Sequence, residues 1–282
     1  MMGVIKHLVE NDERFLRTML FRDKTDAVAE ALTKMYIEQQ RDSKSSECAL
    51  VTYNMSRNTQ KGYALFFFNE EFPEGWSYLN SGTQPEELKD LFEKIGFSVQ
   101  IFRNSTVQDM ELYIQEYAYR KNTCFVCFIS SHGSNGKVFD YRGEGIDLEK
   151  LYIAANDSLR GIPKCFFICA CRTEGTKCSY RADVVTPDTV LGYASTIRSE
   201  SFHQHSGGSV YFEYFIKHLK ESLTLPACRR HTNPALNYNR DIHHIMAKVN
   251  ADMKRDGKTV PMYSSTLSGQ LYLRNDIEDE HI

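Results

Sequence analysis

The stretch KCFFICACRTEG, residues 164–175, opens as an unbroken apolar run and ends on two cysteines one residue apart. A half-exposed strand alternates apolar with polar residues, so a run without alternation reads as a strand buried on both faces. A second run of the same kind, CFVCFISSHG, residues 124–133, ends on a histidine followed by a glycine.

The pattern continues in both directions. YALFFF (63–68), FSVQIF (97–102) and VLGYAST (190–196) read as further strands. Between them lie helical patterns at PEELKDLFEKIG (85–96), closed by Gly96, at about Thr106 to Arg120 opened by Ser105–Thr106, and at IDLEKLYIAAN (146–156). SSHGSNG introduces a hairpin, two helices follow at about 209–222 and 240–254, and VPMYSSTLSGQLYL (260–273) reads as a closing strand. Apolar strands interleaved with amphipathic helices predict a three-layer α/β sandwich, a mostly parallel central sheet with helices on both faces. In such sheets the working residues lie beyond the carboxyl ends of strands. His132 and Cys171 both occupy such ends.

Composition narrows the function classes. A net charge of −3 offers no basic footprint for nucleic acid, and no apolar run is long enough to span a membrane. The eight cysteines are irregularly spaced and several sit in apolar runs, which reads as reduced, buried thiol. The start MMGVIKHLVENDERF lacks a secretory pattern, so a cytoplasmic location is expected. Residues 1–50 read as a short helical leader, closed by the polar linker QQRDSKSSE (39–47), and 51–282 as the main domain.

A thiol is mostly protonated at neutral pH, and a neighbouring imidazole can take its proton and make it a nucleophile. Gly133 permits close backbone approach, and its N–H is a candidate oxyanion donor. Cys169 and Cys171 could instead hold zinc, but no CxxC pair in a loop supports that reading. Cys124 and Cys127 point to opposite faces of their strand and read as core. Trp76 and the phenylalanines read as packing, and His243-His244 as solvated surface.

Cys169-Ala170-Cys171-Arg172-Thr173 resembles the Gln-Ala-Cys-Arg-Gly signature of the caspases, with His132 39 positions upstream. The likeness extends through TYNMSRNTQKGYALFFFNEEF, SGTQPEELKDLFEKIGFSV, CFVCFISSHGSNG, GGSVYFEYFIKHL, HIMAKVNADM and KTVPMYSSTLSGQLYL, covering about residues 52–274 in order. The resemblance implies a caspase-like fold: a large-subunit-like part (51–172), a short linker (173–187) and a small-subunit-like part (188–282). It implies Cys171 as nucleophile, His132 as general acid/base and Gly133 as oxyanion donor, with no metal or other cofactor.

Caspases grip a substrate aspartate with two arginines and a glutamine. At the matching positions this chain has Asn80, Cys169, and His203 or Gln204. The linker offers Asp183 followed by two valines, a poor processing site. The expected function is therefore a regulatory homologue, pairing with an active caspase paralogue in apoptosis-type signalling. The alternative is a cysteine endopeptidase with weak or non-aspartate specificity. Pairing, with a paralogue or a second copy, is expected through the strand Pro261–Leu273, with no nucleic-acid or membrane partner.

Overall fold

The computed structural model describes residues 52, 53, 55, 60–171, 186–195, 207–224 and 241–273. The expected leader (residues 1–50), Arg172, most of the linker, His203 and Gln204 lie outside the described residues.

Strand β1 (Gly62–Phe68) is buried at every position but Tyr63, and β3 (Phe125–Ser130) and β7 (Lys164–Cys169) at every position. These runs pair in parallel. Rows of side chains therefore cross the sheet in register: Ala64, Val126, Cys165 and Val190 form one, and Phe66, Phe128, Phe167 and Gly192 the next. Adding β2 (Phe97–Arg103), β8 (Thr189–Tyr193) and β9 (Met262–Ser265), the strand order is β2-β1-β3-β7-β8-β9. All neighbours are parallel except β8 and β9.

Helices α1 (Gln84–Lys94), α4 (Val210–Thr224) and α5 (Ile242–Arg255) cover one face. Helices α2 (Val107–Tyr119) and α3 (Leu148–Asn156) cover the other. The expected three-layer sandwich is the observed one. Phe128 anchors the first layer, its ring 4.8–5.5 Å from those of Phe66, Phe92, Phe167, Phe212 and Phe215. Truncating such a side chain to alanine costs about 3–5 kcal/mol. In the same row Gly192 leaves room that Tyr211 fills, since a Cβ there would lie 2.4 Å from the tyrosine hydroxyl.

Local signals set the boundaries. Thr106 caps α2 through a reciprocal box with Asp109, contributing about 1 kcal/mol. Asn135 and Gly136, both at positive φ, turn the hairpin between β4 (Gly133–Ser134) and β5 (Lys137–Phe139), and β6 (Gly145–Asp147) completes a small antiparallel sheet.

The closing strand is shorter than the sequence predicts. Ladder pairing ends at Ser265 because side chains take over the backbone groups: Leu267 N–H donates to Ser265 Oγ, and Thr266 Oγ1 donates to Thr186 O. Beyond it, Ser268 turns towards Tyr53 and Asp188, leaving only isolated bridges at Gln270 and Tyr272. His243 and His244 are half-buried, not solvated, and His243 lies 3.4 Å from Ser265 Oγ.

Candidate active site

The register that pairs Phe68 with Ser130 and Ser130 with Cys169 brings the carboxyl ends of β1, β3 and β7 side by side. The loops leaving these ends carry Asn80, His132 and Cys171. Ser131 N–H donates to Cys169 O at 3.1 Å, so the two strand exits stay joined one residue beyond the ladder. Gly133 then packs on the Cys171 backbone: a Cβ at Gly133 would lie 2.7 Å from Cys171 O and 2.8 Å from the Ala170 methyl. No other residue type fits there without moving the exit of β7.

His132 is half-buried, and its Nε2 lies 2.7 Å from the carbonyl oxygen of Ser77. A carbonyl only accepts, so Nε2 carries the proton and donates it. In the neutral ring Nδ1 is then the nitrogen with a lone pair. Phe139 N–H donates to His132 O at 3.0 Å, which leaves Gly133 at a non-hydrogen-bonded position with its N–H turned away from β5. A thiol, an imidazole with one open nitrogen, and an outward backbone N–H are the parts that acyl transfer uses.

The loop supplying Ser77 is pinned along its length. Leu79 N–H donates to Glu70 O at 3.0 Å, and the Glu70 carboxylate accepts from Ser81 N–H (2.9 Å) and from Arg103 (2.8 Å). Trp76 N–H closes a turn on Pro73 O at 3.1 Å. The His132 ring leans on Phe72 (4.4 Å) and Trp76 (5.3 Å), and Trp76 also meets Phe139 edge-on at 5.2 Å.

Asn80 is exposed where this loop meets the segment entering α4. Its Oδ1 accepts from Gly82 N–H at 2.9 Å, and its carbonyl accepts from Gly208 N–H at 2.5 Å. Beneath it, the Gln84 amide pairs both ways with Ser209 at 2.7 Å each. Cys169 is 0% exposed and lies on the α4/α5 face. Close by is the Tyr211 hydroxyl, which has no hydrogen-bond partner among the described residues, and burial pushes that phenol well above its ordinary range. Cys171 is partly exposed, and both it and Cys169 are thiols. Among the described residues no three metal-ligating side chains converge.

A family model described as the caspase domain matches residues 61–272. The chain belongs to the caspase family. Caspase-10 of Homo sapiens is 28% identical over 205 residues, 64% of this chain and 39% of that protein. Caspase-1 of Drosophila melanogaster is 27% identical over 192 residues, 59% of each. Caspase-3 of Bos taurus is 25% identical over 243 residues, 76% of this chain and 84% of that one. The chain thus spans less than two thirds of the first two relatives. Among solved structures, Caspase-1 from Spodoptera frugiperda superposes with a TM-score of 0.66 at 20% identity, over 80% of this chain and 96% of that one, a likeness of fold.

Within the caspase frame, two supports of His132 carry no motif: the Ser77 carbonyl and the aromatic wall of Phe72 and Trp76. A backbone oxygen has no sequence signature. Trp76 has one, as the chain's single tryptophan in a loop just before Ser-Gly-Thr, and the packing expected of it is against Phe72, His132 and Phe139.

Proposed function

We propose that this caspase homologue regulates a catalytically competent caspase by pairing with it. In this reading His132 and Cys171 are a retained dyad, while the grip on a substrate aspartate is lost. The observation that carries the reading is Asn80: a neutral amide stands at the seam with Gly207–Ser209, and its oxygen is already committed to Gly82 N–H. The second position, Cys169, offers a buried thiol in place of an amide. A carboxylate buried without a cationic partner costs about 3–5 kcal/mol, or about two to four powers of ten in rate. Pairing would use β9, an edge strand of the sheet, over Met262–Ser265. A tetrapeptide substrate panel tests the pocket: turnover after aspartate comparable with an active caspase contradicts it. Restoring a grip with Asn80→Arg, Cys169→Gln and His203→Arg is expected to recover activity.

A second reading, a cysteine endopeptidase of non-aspartate specificity, is favoured by the Ser77–His132 bond and the fit of Gly133 against Cys171. In that reading the Cys171 thiol gives its proton to Nδ1 and its sulfur attacks the peptide carbonyl. The imidazolium then protonates the departing amine, and water hydrolyses the thioester. Turnover of any uncharged-residue substrate that is abolished in Cys171→Ala would favour it.

A further inference from the structure

We infer that the exposed wall of Phe72 and Trp76 beside His132 is a subsite for a basic side chain, lysine or arginine, on the leaving-group side of a bound peptide. This rests on the reading of His132 and Cys171 as a dyad and adds a specificity element to it. The imidazole that protonates a departing amine must lie beside the residue that carries that nitrogen. That residue therefore passes the His132 ring, and the groups packed on the ring are Phe72 at 4.4 Å and Trp76 at 5.3 Å. The two aromatic rings stack on each other at 5.8 Å and 10°, and Trp76 remains 41% exposed. This aromatic wall, with the indole still partly exposed, continues the site outward from the dyad.

Charge selects the occupant. The loop and first turn from Asn69 to Leu88 contain five glutamates and neither lysine nor arginine. Arg103 holds Glu70 and Glu86, and Lys220 holds Glu87. Glu71 and Glu74, which flank Phe72 and precede Trp76 in its turn, are exposed and make no ion pair among the described residues. Arg142, on the neighbouring turn, is committed to Asp140 and Glu144. Lys137 runs its stem along Gly145. A partly exposed indole in a loop that also carries two exposed carboxylates suits a cation, which gains from the ring quadrupole and from Coulomb attraction together. An acidic side chain would meet like charge at the same place.

The test is NMR on the full chain as Cys171→Ala, following the single indole N–H signal. The probes are acetyl-Gly-Ala-Lys-Ala-Gly-amide and its Leu and Glu counterparts, at fixed pH. The Lys peptide is expected to shift the Trp76 signal with a midpoint about fivefold below that of the Leu peptide, the size of an exposed cation–π contact with modest charge support. The Glu peptide should give no shift. The Glu71→Gln/Glu74→Gln double variant, altering only exposed side chains, should narrow the Lys preference over Leu without abolishing it, since the indole remains, and added salt should narrow it likewise. A Leu midpoint at or below that of Lys, or no shift with any peptide, overturns the subsite. The dyad is tested apart, by whether His132→Ala slows alkylation of Cys171, so failure of one reading is visible without the other.

Discussion

The Nε2 atom of His132 donates to the carbonyl oxygen of Ser77 across 2.7 Å, which assigns the proton on the ring and leaves Nδ1 as the open nitrogen. The orienting group comes from the backbone of a loop tied down by Glu70, Arg103 and the Pro73–Trp76 turn. No side chain is needed for it, and substitution at Ser77 alone should leave it in place.

Cys171 is expected to be the reactive thiol. It is partly exposed at the exit of β7, whereas Cys169 is sealed on the α4/α5 face. Iodoacetamide labelling mapped by mass spectrometry should reach Cys171 first, and His132→Ala should slow it about tenfold or more by removing the proton acceptor. Ser77→Ala should change the rate little, because only its carbonyl is used. Equal labelling of both cysteines, or indifference to His132, would count against the dyad.

Gln84 should be the joint between the loop at Asn80 and the start of α4. Its amide donates to Ser209 O and accepts from Ser209 N–H, both at 2.7 Å and both buried. Gln84→Leu leaves the Ser209 N–H buried without a partner, at about 1–3 kcal/mol, and takes from Ser209 O one of its two donors, the other being Glu213 N–H. Differential scanning calorimetry should show a fall in Tm of several degrees. Gln84→Glu should lower Tm too, since a carboxylate cannot donate to Ser209 O. An unchanged Tm in Gln84→Leu would show that the joint lies elsewhere.

The α4–α5 contact gives an acid-side prediction. His218 is buried, with Nδ1 2.9 Å from Glu221 and Nε2 3.0 Å from Asp252, and Lys217 and Arg255 also hold Asp252. Both ring nitrogens face carboxylate oxygens. The hydrogen bond from Lys217 brings Asp252 down from its ordinary 3.8 to about 2, and the bond from His218 lowers Glu221. A carboxylate depressed in the fold stabilises it above the unfolded value, and that stability is lost as pH falls through the folded value. Denaturant midpoints should therefore decline between about pH 4 and pH 2, less steeply in Asp252→Asn. Equal slopes in the two proteins would remove Asp252 from the account.

The parallel core was legible in the sequence because its strands are buried on both faces, and GYALFFF, FVCFIS and KCFFIC leave no alternation to misread. The Asn135–Gly136 turn was legible for its conformational demand. The end of β9 was not, since Ser265 and Thr266 are common in strands and only their side-chain bonds to Leu267 and Thr186 stop the ladder. The exits carrying His132 and Cys171 could be found from residue type and position. Their support could not: the Ser77 carbonyl, the aromatic wall and the Gln84–Ser209 pair are contacts between loops distant in sequence.

The most direct test of the proposed role is the rate at which a competent caspase hydrolyses an aspartyl peptide, measured with and without this chain as Cys171→Ala. The account predicts a changed rate that is abolished when Tyr263→Lys and Ser265→Glu place charges on β9. Loss of the effect in Cys171→Ala, with the β9 variant of the otherwise intact protein still effective, would contradict it and leave the protein a peptidase in its own right.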